Sequence, residues 1–263
     1  MKLLFAVLVI FGLALAIASD ARAALTRSEL GEVFLSPPAN AVAPLALEFR
    51  DIQDKRVSLR DAMDGRPAVL LFVDYTCGTI CGPALAIASG AMAQTGLDPA
   101  KYRLVVIGLD PKDSADDARV MARQIGDPAV ERVTTLLRGD AGNVGRLTEA
   151  LGYHYRYDAA ADQFAHPAGA LVMTSDGRVS RSLSSLALNP RDLRLALVEA
   201  GAGRIGTLTD RLTLLCYGFD AVHGVYAPAI ARMLKLFAAL TIIAVLGSIA
   251  VLERHRRTTR GIG

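Results

Sequence analysis

The chain has 263 residues, and its 29 basic and 26 acidic side chains leave a formal charge of only +3. With no basic stripe interleaved with aromatics, it does not read as a nucleic-acid binder. Three cysteines in a chain of this length exclude a small scaffold stapled by disulfides.

Lys2 precedes an apolar run over residues 3–18, and Ser19-Asp-Ala-Arg-Ala23 follows. This order predicts a signal peptide over residues 1–23, cleaved after Ala23. Residues 24–44 read as an extended lead-in, carrying Pro37, Pro38 and Pro44. Residues 45–50 and 57–59 read as a short hairpin. The apolar run ending in Val73 reads as a buried central strand over residues 69–74, followed by a helix over residues 83–95. Residues 102–110 give a second buried strand, rich in β-branched side chains. Ser114 is placed to cap a helix reaching about residue 125, with Asp116 and Asp117 in its first turn. A third strand over residues 133–137, a helix over residues 141–151 and a Gly152 cap follow. Residues 170–174 and 178–183 form a closing hairpin around Ser175-Asp-Gly177, and Asn189 caps a helix ending at Ala200. Strands alternating with helices and closed by a hairpin predict an α/β fold with a mixed sheet.

Residues 201–232 read as a linker and juxtamembrane segment with a helix or hairpin near residues 208–226. Residues 233–253 are apolar enough to span a membrane, with Lys235 snorkelling to its surface. Residues 254–263 carry Arg254, Arg256, Arg257 and Arg260. A basic tail of this kind faces the cytoplasm. The expected layout is therefore an inner (plasma) membrane protein with a single C-terminal span. Its globular domain, residues 45–200, would lie in the periplasm.

The chemistry concentrates in Cys77-Gly-Thr-Ile-Cys81, between the first central strand and its helix. Unpaired N–H groups at a helix N-terminus favour thiolate over thiol. If both residues are helical, they share one face at a Cα separation of about 6 Å, within disulfide range. Two thiolates select a soft ion such as Cu(I), and an added imidazole suits either copper state. A static disulfide is the bland alternative, though so short a loop stabilises little. His154, His166 and His223 are the candidates for a third ligand. Of these, His166 immediately precedes the fourth core strand. Cys216 is an odd thiol, read as a buried apolar residue, or as a transient ligand or mixed-disulfide partner. Asp110 and Asp113 read as cap and turn residues with an accessory role near the site as the alternative. A peroxidase reading lacks an arginine close in sequence to Thr76 and Thr79.

Three separated motifs carry a family resemblance. They are the Cys77/Cys81 pair after the first core strand, Leu104-Val-Val-Ile-Gly-Leu-Asp110-Pro-Lys-Asp113, and Phe164-Ala-His166 before Leu171-Val-Met-Thr-Ser-Asp-Gly-Arg178. In this order they resemble the Sco/SenC family over residues 45–200. The resemblance implies a thioredoxin-like fold and copper bound by Cys77, Cys81 and His166. It also implies a role in assembling the dinuclear copper centre of cytochrome c oxidase. Its implied partners are the oxidase copper subunit, or another copper protein, and a thiol–disulfide reductant. Some members act instead as thiol–disulfide reductases, which would make Cys77 and Cys81 a redox pair. Gly78 and Gly82 stand where the family pattern has proline.

Overall fold

The structure is a computed structural model that describes residues 25, 27–184, 188–201, 217–220, 225–228, 240–243, 245 and 247–248. In chain order its strands and helices begin with α1 (Arg27–Leu30), β1 (Phe34–Leu35), β2 (Glu48–Arg50), β3 (Arg56–Ser58), α2 (Leu59–Met63) and β4 (Ala68–Val73). Next come α3 (Cys81–Ala93), β5 (Arg103–Gly108), α4 (Ala115–Ala122), α5 (Pro128–Glu131), β6 (Thr134–Leu137) and α6 (Ala141–Ala150). Then follow β7 (Tyr153–His154), β8 (Arg156–Asp158), β9 (Gln163–Ala165), β10 (Gly169–Met173), β11 (Val179–Ser184), α7 (Pro190–Ala200), β12 (Tyr217–Asp220) and β13 (Val225–Pro228).

A five-stranded mixed sheet, ordered β11-β10-β4-β5-β6, forms the centre. β4, β5 and β6 run parallel, while β10 and β11 run antiparallel to their neighbours. Every residue of β4 is buried, as a central strand covered on both faces requires. Its side chains alternate between two cores. Val69, Leu71 and Val73 pack with Leu85 and Met92 of α3 and Leu193 and Leu197 of α7. Leu70 and Phe72 pack with Leu59 and Met63 of α2 and Val144 and Leu147 of α6.

The helix starts follow their predicted caps. Ser114 and Asp117 form a reciprocal capping box at α4. Asn189 accepts the Asp192 N–H at α7, with Pro190 in the first turn. Gly152 ends α6 at φ +61°, the left-handed conformation that a C-terminal cap uses. The β8–β9 hairpin and the β1–β7 pair were not expected from the sequence. Both are two or three residues per strand, too short for an alternation pattern to register.

The antiparallel β10 decides the site. Its Ala170 pairs with Leu71 and its Met173 with Ala68, so β10 starts beside the end of β4. The residues before β10 and those after β4 therefore share one sheet edge, where sheets of this class place their sites.

β12 and β13 form an antiparallel hairpin within the expected juxtamembrane segment. The signal peptide, Cys216, His223 and the basic tail lie outside the described residues. Within the expected span, only residues 240–243, 245 and 247–248 are described, all helical. Among the described residues no helix is long and apolar enough to cross a membrane.

Candidate metal centre

Both thiols sit in the β4–α3 connection, delivered in different ways. α3 starts at Cys81 itself, and its cap residue Ile80 supplies no side-chain hydrogen bond. Cys77 stands in the preceding turn, its N–H donating to the Asp74 carbonyl at 3.2 Å. The expected shared helical face is therefore corrected, because Cys77 is not helical. Its sulfur faces the N–H groups of Thr79, Ile80 and Cys81, at the entry to α3. Burial raises this thiol, but the Thr79 hydroxyl and the N–H groups of Ile80, Thr79 and Cys81 outweigh it and bring Cys77 to about 7. The Cys77 Sγ to Thr79 Oγ1 distance is 3.4 Å.

Cys81 differs. It is buried in the core against α3 and the sheet, and burial pushes its thiol well up, with the nearby Cys77 and Asp74 charges adding to the rise. At neutral pH the pair thus comprises one accessible thiol with substantial thiolate character and one protonated thiol beneath it.

His166 arrives from the other side, in the β9–β10 connection. Its Nε2 lies 3.3 Å from Cys81 Sγ, across a sequence separation of 85 residues. Burial lowers its pKa, so the ring is neutral at neutral pH. The tautomer follows from its neighbours. The Tyr153 hydroxyl lies 2.8 Å from both His166 Nδ1 and the Pro167 carbonyl. A carbonyl only accepts, so the Tyr153 O–H donates to Pro167, and Nδ1–H donates to the Tyr153 oxygen. Nε2 then carries a bare lone pair aimed at Cys81, which a metal ligand requires.

Two of the three predicted ligands are therefore in contact, with Cys77 on the same loop but turned to Thr79. Among the described residues no group of three His, Cys, Asp or Glu side chains is gathered around one metal position. Two sulfurs and one imidazole nitrogen are nonetheless a donor set suited to copper. The Cys77 and Cys81 thiols are themselves close enough to hydrogen-bond, a contact that adds to the rise at Cys81. His154 is not part of the site: it is exposed in β7, its ring stacked on Phe34 at 4.2 Å.

Asp110 and Asp113 are turn residues, as read. Asp110 Oδ1 accepts the Lys112 N–H at 2.8 Å. Asp113 Oδ2 accepts the Tyr75 N–H at 3.4 Å, tying this turn to the cysteine loop. Burial, with the charges of Asp74, Asp110 and Asp117, lifts the Asp113 carboxyl to about 7. Two contributors were missed from the sequence, Asp74 and Tyr153, and Thr79 was weighed only for the peroxidase reading. Asp74 was detectable as a carboxylate closing a buried strand, where burial demands donors. Nothing local to Tyr153 signals its role.

An open cleft of about 480 Å³ reaches Cys77, lined also by Tyr75, Gly82, Val120 and Met121. A second cleft of about 400 Å³, near Arg50, Arg138 and Asn143, holds neither thiol.

Fold and site together define a thioredoxin-like domain bearing a dithiol and an imidazole at the strand edge. Comparison with known proteins narrows this class. The SCO1/SenC family profile matches residues 42–199, and the chain belongs to that family. Solved structures that resemble it include a protein from Aquifex aeolicus VF5, with TM-score 0.56 and 15% identity, covering 64% of this chain and 96% of that one. A SCO1/SenC family lipoprotein from Bacillus anthracis aligns with TM-score 0.51 and 16% identity, over 67% of this chain and 96% of the other. BsSco, a member of the Sco family of cytochrome c oxidase assembly proteins, aligns with TM-score 0.52 and 19% identity, over 64% of this chain and 98% of its own. No curated protein matches the sequence significantly.

Proposed function

We propose that this protein binds one copper ion through Cys77, Cys81 and His166, and passes it on as a metallochaperone. The recipient is the copper subunit of cytochrome c oxidase or another copper protein. The observation that carries this reading is the 3.3 Å approach of His166 Nε2 to Cys81 Sγ, with Tyr153 fixing the tautomer that frees Nε2. That orientation lets Nε2 ligate a metal held by Cys81, whereas in a metal-independent dithiol its one use is to take the Cys81 proton. Cys77 is the accessible sulfur by which cargo enters and leaves, and Cys81 and His166 form the inner wall. A disulfide between the two cysteines would block loading, so a thiol reductant must act first.

The domain is proposed to face the periplasm, anchored by residues 233–253. Leu240, Ile242, Ile243 and Val245 are helical and more than half exposed, as lipid-facing residues of a span would be.

A second reading, thiol–disulfide exchange, is favoured by the asymmetry of the pair. Cys77 thiolate would attack a partner disulfide and release one partner thiolate. Cys81, its proton taken by His166 Nε2, would then attack the Cys77 sulfur of the mixed disulfide and displace the second partner thiolate, leaving the partner with two reduced thiols and the domain with one disulfide.

Anaerobic copper titration of the reduced full chain in detergent decides between them. The expected result is one equivalent bound, with sulfur and nitrogen scatterers in X-ray absorption. His166→Ala should weaken Cu(II) far more than Cu(I), because two thiolates content Cu(I). Purely oxygen and nitrogen scattering, or equal losses for both oxidation states, would remove this ligand set.

A further inference from the structure

We infer that Asp74 is a positioning residue that clamps the cysteine loop to the histidine hairpin; the inference rests on the copper reading above. Asp74 immediately follows β4 and is fully buried. Its Oδ1 accepts the Thr76 N–H at 3.0 Å and the Thr76 hydroxyl at 2.8 Å, inside the loop that carries Cys77. Its Oδ2 accepts the Phe164 N–H at 3.1 Å, across 90 residues of sequence. Phe164 lies in β9, two residues before His166.

The hairpin needs such a link. β8 and β9 pair with each other as a separate two-stranded sheet, and no ladder joins them to the central five. Phe164 packs between Tyr155 and Tyr157, at ring distances of 5.6 and 5.1 Å. These contacts hold the hairpin together, and Phe164 and Tyr155 also pack against the core that contains Phe72 and Tyr153; apolar packing is non-directional, so the directional link falls to Asp74. The remaining ties from the hairpin include the exposed Lys112–Asp162 pair, of a kind that contributes little. A buried carboxylate is costly unless donors surround it. Here its two oxygens address both halves of the site, so one rigid group fixes the spacing between the sulfur loop and the imidazole.

Asparagine has nearly the same shape but only one accepting oxygen. In either orientation of the amide, its NH₂ faces an N–H of Thr76 or of Phe164, and one arm of the clamp fails. Asp74→Asn should weaken Cu(II) binding at least about tenfold, as loss of a ligand-orienting partner does. Cu(I) affinity should stay within about threefold, since the thiolates suffice for it. In a His166→Ala background the same substitution should add nothing to the Cu(II) loss, because the clamp acts through the imidazole.

A metal-free measurement separates the clamp from the copper reading. In the reduced full chain, the Phe164 amide should be protected from hydrogen exchange, and Asp74→Asn should remove that protection while central-strand amides such as Val106 keep theirs. An unprotected Phe164 amide in the parent protein overturns the clamp, whether or not the variant folds. So does an unchanged Cu(II) affinity in Asp74→Asn, or a Cu(II) loss that persists undiminished in the His166→Ala background. If the parent binds no copper, the copper reading and the positioning role resting on it fall together, while exchange at Phe164 still decides the hydrogen bond itself.

Discussion

Cys77 and Cys81 are the same side chain in opposite environments. Cys77 gathers a hydroxyl and three backbone donors at an otherwise uncapped helix start, whereas Cys81 is enclosed by apolar core. The ordinary thiol is lowered to about 7 at Cys77 and raised at Cys81. The sign of the pH effect follows. Thiolate at Cys77 grows as pH rises through about 7, so its alkylation should accelerate over that range and level off above it. Cys81 should stay unmodified throughout, because it is both buried and protonated. Mass-spectrometric mapping after pulsed alkylation of the reduced, metal-free chain checks this. Thr79→Val should move the Cys77 midpoint upward by removing one donor. A parental midpoint at the ordinary thiol value would show that the loop donors do not reach the sulfur.

At the scale of elements, the turn after α6 holds β7, and through Tyr153 the imidazole, in place. Gly152 has φ +61°, and a Cβ there would lie 2.1 Å from the Ser36 carbonyl oxygen. Its own carbonyl accepts the Ser36 N–H at 2.8 Å, so the two segments cannot move apart cheaply. Gly152→Ala should therefore cost about 2–4 kcal/mol, combining backbone strain with overpacking. Gly145, inside α6, has open space around its Cβ position, so Gly145→Ala should stabilise by about 0.5–1 kcal/mol through helix propensity. Urea denaturation with thiols reduced measures both. Equal effects of the two substitutions would show that the Ser36–Gly152 contact is not held.

At the scale of the whole molecule, the proposed anchor fixes which compartment meets the site. A periplasmic domain encounters oxidants and extracytoplasmic metal, and its dithiol then depends on a reductant for loading. Protease treatment of spheroplasts should digest the domain and leave a small membrane-protected fragment ending in the basic tail. A domain left intact in sealed spheroplasts, but digested after lysis, would reverse the proposed orientation.

The sequence by itself determined the order of the core strands and helices. Most had a local signature: an apolar run for β4, a β-branched one for β5, Ser114 and Asn189 as caps, Gly152 as a stop; the five-residue α2 did not, and Leu59, read as the end of a strand, begins it. It also singled out Cys77 and Cys81, four apart at a strand–helix junction, and His166 through its motif before β10. Short pieces escaped because two- and three-residue strands such as β7, β8 and β9 have no period to read. What only the tertiary structure decided was proximity and protonation. The antiparallel register of β10 on β4 sets His166 against Cys81. The helix start at Cys81 leaves Cys77 to the loop and divides the pair into an accessible thiolate and a buried thiol. Asp74 and Tyr153 acquire their roles from partners far away or across a turn. Hydrogen-bond partners, burial and pKa depend on which groups share a space, and that is a property of the folded chain.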